Sequence, residues 1–507
     1  MGYIIGWRKA GKIITWEVRM KRRSRKSHEQ QGLLPFEIEE VAEDVRVTSY
    51  AGLPLVAEAY RATGAAEAVK RCVQTRERQR DRGLTDEQLV ESFLLLLSAG
   101  GECNDDFDEM RRDVGLPEMM GYELPSSSRA KEFLYAFHDD ETDADVAQRR
   151  FETPSFVPLE TRPLEGLHEA LRAVVASAQR ERPERFATLD IDATIIVSEK
   201  REAAMTYEGE KGYQPVVAYW AEQEMVVAEE FRDGNVPAGT DLLRVLKKGV
   251  ETLPEGVERI YVRADSAAYE HEFLNWCRET KPQGRDIVFA VSADMSRELR
   301  RAVEALPSKG WKELDRRGGA IRSWAEVEFI PSDGSVKKGR APDRYLAIRV
   351  VPEQREMFSD GSEVKHFAVV TNDWGRDGAA LLEWHRQKAG TIERMHHTLK
   401  NELGAGVMPC GRFGANAAWF RLNALTANVL TVLKRLALPK ELSKAEPKRL
   451  RFRVLCVAGQ LVHHARRLSI RVARSVLGGE WLIAARRILR RIARRCAAHA
   501  PPVPAFS

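Results

Sequence analysis

Residues 384–403 read WHRQKAGTIERMHHTLKNEL, and the reading of this stretch organises the rest of the chain. Glu393, His396, His397 and Lys400 are spaced so that, at 3.6 residues per turn, they share one stripe of a helix. Ile392, Met395, Leu399 and Leu403 form the opposite, apolar stripe. The spacing predicts a helix that packs by one face and presents a carboxylate, two imidazoles and an amine on the other. The competing reading is an ordinary solvated face, because Glu/Lys pairs at this spacing are common on exposed helices.

Two upstream segments favour a site. FATLDIDATIIV carries Asp190 and Asp192, and RIYVRADSAAY carries Asp265. Alternation along LDIDAT places Thr188, Asp190, Asp192 and Thr194 on one strand face. Asp265 follows an apolar run and precedes AAYEHEFLNWC, so a helix N-cap is its alternative role. The two roles are compatible, since open α/β sheets gather ligands at the C-terminal ends of their strands. Strand-borne aspartates and a helix-borne glutamate make a three-carboxylate site for hard divalent cations. A pair of such ions roughly 4 Å apart stabilises both the attacking and the leaving oxygen in phosphoryl transfer.

The order D…D…E, with lysine seven residues after the glutamate, resembles the catalytic domain of bacterial insertion-sequence DDE transposases. Within these the chain is similar to insertion-sequence family 1380, related to the insertion-sequence-four group. The similarity is carried by AGGEC (99–103), LDIDAT (189–194), GYQPVVAYWAE (212–222), FRDGNVPAG (231–239), VRADSAAY (262–269), VVTNDW (369–374) and GTIERMHHTLKNELGAGVMPCGRFGANAAWFRLNALTANVL (390–430). The resemblance implies Asp192, Asp265 and Glu393 as catalytic residues and as ligands of two Mg2+ ions, with Mn2+ able to substitute, and Asp190 as a supporting residue behind them. No covalent enzyme intermediate is required. The broader group has tyrosine seven and arginine four residues before its glutamate. Here Arg386 and Ala389 stand there, which leaves Arg386, with Lys400 and His397, to contact DNA phosphates. The resemblance further implies a β-rich insertion holding an aromatic that grips a flipped base during hairpin chemistry, for which Trp324 and Trp311 are the candidates; a tryptophan packed in a core is the alternative. The expected activity is cleavage at the inverted ends of the element and joining to target DNA. A host nuclease of the same fold and an inactive DNA-binding descendant are the alternatives.

At 507 residues with 43% hydrophobic content, the chain is long enough for several domains and at least one large core. No apolar run reaches spanning length, and the N-terminal stretch lacks a signal-peptide h-region. A cytoplasmic, nucleoid-associated protein without membrane contact is expected. Six cysteines without a C-x-x-C pair argue against a zinc module or a disulfide framework. Net charge is only +5, yet residues 1–31 hold nine Lys/Arg against two Glu and residues 445–507 hold fourteen against two. Basic ends on an acidic body suit a double-stranded DNA partner outside a carboxylate site. A homodimer on DNA is expected alongside the family resemblance.

The expected fold is α/β: a ribonuclease-H-like catalytic domain with a β-rich insertion, an all-helical N-terminal region and an arginine-rich helical C-terminal region. Residues 1–33 are a basic arm, expected to be disordered or else the product of an early start, with Met20 as the alternative initiator. Residues 34–150 are a helical DNA-binding region. There Thr85 and Ser126 are expected helix caps, and Arg129 and Lys131 lie near a helix N-terminus suited to DNA. Nearby Asp105, Asp106, Asp108 and Glu109 favour a plain bundle instead. Residues 151–293 and 365–440 form the catalytic domain, with strands near 186–197, 213–220, 225–231, 259–264 and 286–292. This β-β-β-α-β order is what a ribonuclease-H-like fold requires. Residues 294–364 are the insertion. Residues 441–507, with HHARRLSIRVARSV and AARRILRRIARRC, read as amphipathic helix with a phosphate-binding face that includes Arg466 and Arg467, a membrane-surface helix being the alternative.

Overall fold

The computed structural model describes residues 6–9, 12–15, 42, 45–75, 83–138, 155, 157–331, 342–353, 364–465, 467–473 and 479–498. Two units are present, Met1–Val45 and Arg46–Ser507. In the first, Gly6–Lys9 and Lys12–Thr15 pair antiparallel, where a disordered arm was expected. The β-branched run Ile13, Ile14 and Thr15 suits a strand.

The second unit is built on a nine-stranded mixed sheet. Its strands are β1 (Phe186–Ala193), β2 (Val216–Trp220), β3 (Met225–Glu230), β4 (Arg259–Ala264), β5 (Asp286–Ala293), β6 (Lys312–Arg317), β7 (Ala320–Val327), β8 (Arg344–Pro352) and β9 (Lys365–Thr371). Their spatial order is β6-β7-β8-β9-β5-β4-β1-β2-β3. β2 runs antiparallel to both β1 and β3, β4 and β5 run parallel to β1, and the remaining strands continue antiparallel from β5. The insertion strands β6–β8 are thus a continuation of the one sheet through β9. Both β2 and β3 are buried along their whole length, as the apolar runs VVAYW and MVVA require.

The helices used below are α1 (Pro54–Ala62), α2 (Asp86–Ala99), α3 (Ser127–Tyr135), α4 (Arg162–Glu181), α5 (Leu242–Thr252), α6 (Gly378–Arg386), α7 (Lys388–His397), α8 (Phe413–Val432) and α9 (Gly479–Ala498). Thr85 closes a capping box with Gln88 on α2, and Ser126 accepts from the Arg129 backbone N–H on α3. α8 is buried on every side from Gly414 to Val432, and polar side chains buried along it are satisfied by partners. Its Asn428 accepts from Val226 N at 2.9 Å and donates to Val226 O at 2.8 Å. The amide thereby supplies the edge strand β3 with the partner that another strand would have given. Arg421 of the same helix is sunk between Glu160 and Glu229, satisfying a buried guanidinium with two carboxylates.

One expected helix is absent. Residues 459–472 form an antiparallel hairpin of Gly459–His464 with Arg467–Val472, and Gly459–Leu461 also pairs with Arg46–Thr48. The period-two alternation of LSIRV outweighs the arginine spacing that suggested a helix, and Ala465 turns at φ 47°. Arg467 lies exposed on this hairpin, whereas Arg466 falls outside the described residues. α9 follows, and it packs on α1 through buried Ala485, Leu489 and Ile492.

Candidate active site

β1 and β4 are parallel neighbours in a register that sets Arg263 beside Asp190 and Ala264 beside Ile191. Asp265 and Asp192 each follow the last pair of this register, and they lie close enough for the charge of Asp192 to act on Asp265. Adjacent strands lie about 4.8 Å apart, so two carboxylates leave the C-terminal edge of the sheet side by side. The motifs D-I-D and R-A-D therefore read as one unit: Arg263 answers Asp190, and Asp265 joins Asp192.

Asp190 is fully buried and gripped at both oxygens by Arg263, at 2.6 and 2.8 Å. It also accepts from the Thr391 hydroxyl on α7, while Arg263 Nη1 donates to Trp384 O on α6 at 2.7 Å. His385 Nε2 meets Ala264 O at 3.1 Å, and burial pushes its pKa down to about 4. Asp190 is thus committed to an ion pair that pins the glutamate-bearing helices to the sheet. A buried arginine inside a strand calls for a carboxylate partner; the signal lay in VRADS, but its partner is 73 residues away.

Asp192 is partly exposed. Lys388 Nζ stands 3.4 Å from its Oδ1, and His396 Nε2 stands 3.7 Å from its Oδ2, beyond hydrogen-bond length. Burial works against ionisation of Asp192, but His396 and Lys388 outweigh it and hold its pKa below the usual carboxylate range. Asp265 shows the reverse. Burial raises its pKa, Lys388 opposes that, and the charge of Asp192 raises it further. Its Oδ1 accepts from Ala267 N at 3.1 Å, so Asp265 also caps the turn that follows β4. Glu393 projects from the exposed side of α7, one turn before His396. Among the described residues no three His, Cys, Asp or Glu side chains are gathered closely enough to hold one metal ion. The Asp192/Asp265 pair by itself is a hard-oxygen donor set with like charges in need of a counter-charge, which fits a hard divalent cation.

The other expected site residues are placed as follows. Lys400 Nζ donates to Ile195 O at 2.8 Å and to Thr194 Oγ1 at 3.3 Å, from the π-turn Thr398–Glu402 that continues α7. His397 Nδ1 meets the amide of Asn401 at 2.9 Å. Arg386 is shared by Asp315 and Glu383, which ties α6 to the insertion strand β6 and engages the guanidinium. Trp324 is 4% exposed and packs against Gly378, where a Cβ would meet the indole at 2.2 Å, with Lys312 over the ring. Trp311 carries the Arg349 guanidinium 4.5 Å from its ring centroid. Arg129 pairs with Glu132 and Lys131 lies over Tyr135, while Asp108 accepts from Ser127 N and sets a carboxylate at the N-terminus of α3. Helical spacing also passed over Lys388, because it sits about 140° around the helix from Glu393.

A cryo-EM structure of a piggyBac transposase synaptic complex with hairpin DNA is similar at 9% identity and a TM-score of 0.42, over 90% of this chain and 83% of that one. No curated protein matches. The family model for the transposase DDE domain, group 1, matches residues 37–494, and the chain belongs to that family.

Proposed function

We propose that this chain is the transposase of an insertion sequence of family 1380, cutting DNA at the inverted ends of its element and joining those ends to target DNA. The observation that carries the reading is the parallel register of β1 and β4, which ends one residue before Asp192 and Asp265, together with the effect of the Asp192 charge on Asp265. The run of three antiparallel strands followed by two parallel ones supports a ribonuclease-H-like core. Asp192 and Asp265 would hold the divalent cations, and Glu393, on the stripe next to His396, would turn inward to complete the set. A divalent cation held by these carboxylates would supply the positive charge that activates an attacking oxygen and neutralises a leaving one. Asp190, Arg263 and Thr391 tie α7 to the strand that carries Asp192. Exposed Arg487, Arg490, Arg491 and Arg494 on α9 form a stripe suited to duplex phosphates. Part of the apolar side of α9 is used in packing on α1, through Ala485, Leu489 and Ile492.

The test is cleavage and strand transfer of linear DNA carrying the element ends, with Mg2+ supplied. Asp192→Asn, Asp265→Asn and Glu393→Gln are each expected to abolish both steps, by 100-fold or more (~3 kcal/mol of barrier), with end binding near wild type. Cleavage that ignores the ends and joins nothing would instead identify a nuclease. Binding with no cleavage by the unaltered chain would identify an inactive descendant.

A further inference from the structure

We propose that Lys388 is a built-in counter-ion for the Asp192/Asp265 pair, its ammonium standing where a divalent cation binds and leaving when that cation enters. The inference rests on reading the pair as a cation site. Lys388 Nζ lies 3.4 Å from Asp192 Oδ1, and the lysine side chain is only 15% exposed, so its charge is held within the site. It also acts on Asp265, where it opposes the raising effects of burial and of Asp192. The neighbouring carboxylate does not need it, since Asp190 is neutralised at both oxygens by Arg263. Residue type fits the task as well. Arg263 clamps its partner with a planar fork, whereas a lysine holds a compact charge on a flexible four-carbon stem that can swing away.

The consequence is competition. Two adjacent carboxylates without a cation repel one another, and Lys388 stabilises that state of the protein. A divalent ion entering the pair meets the ammonium at close range and has to displace it. Removing the ammonium should therefore cost stability in the metal-free protein and increase affinity for the metal, a combination that a merely structural ion pair would not produce.

The experiment is calorimetric titration of the full-length chain with Mn2+, without DNA, using wild type, Lys388→Met and Asp192→Asn. Methionine keeps an apolar stem and removes the charge. Lys388→Met is expected to bind Mn2+ about tenfold more tightly than wild type, within the usual range of site coupling. It should melt lower without metal, and Mn2+ should raise its melting temperature by more than it raises that of wild type. Lys388→Gln provides a second neutral variant should methionine fold poorly. Mn2+ affinity that is unchanged, weakened or absent in the neutral variants overturns the counter-ion. Wild-type Mn2+ binding by Asp192→Asn would show instead that the carboxylate pair is not the cation site. Loss of binding in Asp192→Asn with no gain in the Lys388 variants would remove the counter-ion alone.

Discussion

The ammonium of Lys400 reaches the backbone carbonyl of Ile195 and the hydroxyl of Thr194, immediately beyond the strand that carries Asp192. Burial lowers its pKa, with Glu208 opposing, so the group is drawn into the protein rather than left on a solvated face. The family resemblance led to the expectation that Lys400 contacts DNA phosphates. Its two hydrogen bonds fasten the π-turn of the glutamate helix to the loop after β1. Hydrogen bonds to a charged group are worth about 1.5–3 kcal/mol each when largely buried, and less when half-buried. Lys400→Met is accordingly expected to lose about 1–3 kcal/mol in urea denaturation. An unchanged midpoint together with slower end cleavage would return Lys400 to a purely phosphate-binding role. The same scale explains what was legible around it. Asp192 and Asp265 stand out because they close apolar runs, and Glu393 because it shares a helical stripe with His396, His397 and Lys400, whereas the grip of Arg263 on Asp190 depends on a strand pairing that no local window contains.

Helix α4 meets helix α5 through His168, whose Nε2 lies 3.0 Å from Thr252 Oγ1. Burial, followed by the charges of Lys248 and Arg421, holds its pKa well below the ordinary 6.5. Above pH 6.5 the imidazole is neutral in both folded and unfolded chains and contributes no pH dependence. As pH falls through 6.5 the unfolded chain takes up a proton that the folded one refuses, so stability declines. His168→Gln is expected to lose less stability than wild type between pH 7.5 and 5.5 in paired denaturant titrations. An equal loss in both proteins would assign the acid sensitivity elsewhere. Elements of this kind were readable where one period dominates. The strands of the Asp192 and Asp265 motifs, the cap at Thr85 and the long apolar α8 each follow from local pattern and end chemistry. The hairpin at 459–472 was not readable in this way, because arginine pairs every few residues imitate a helical stripe while Leu461, Leu468 and Ile470 alternate as strands. Nor was the joining of β6–β8 to the main sheet, since that is decided by β9, which pairs with both β5 and β8.

At the scale of the whole chain, the basic C-terminal region is part of the folded body and not a detachable tail. α9 buries Ala485, Leu489 and Ile492, and its flanking arginines are pinned by Glu58 and Glu181 at 2.6 and 2.9 Å. Deleting it would open the core around α1, so the DNA binding of such a truncation would report unfolding. The informative change removes charge and leaves packing alone. Arg487, Arg490, Arg491 and Arg494 are exposed and make no ion pair among the described residues, and their spacing puts them on one side of the helix. Each phosphate that the protein no longer neutralises should reduce the slope of log affinity against log salt by about 0.9. The fourfold glutamine variant is therefore expected to bind duplex DNA with a slope shallower by about 2–4, equally for element ends and unrelated duplexes, because phosphates carry no base information. Its melting temperature should stay close to that of wild type, since surface changes away from the core usually alter stability by less than about 0.5 kcal/mol. An unchanged salt slope in a normally folded variant would mean that this arginine stripe faces something other than the DNA backbone.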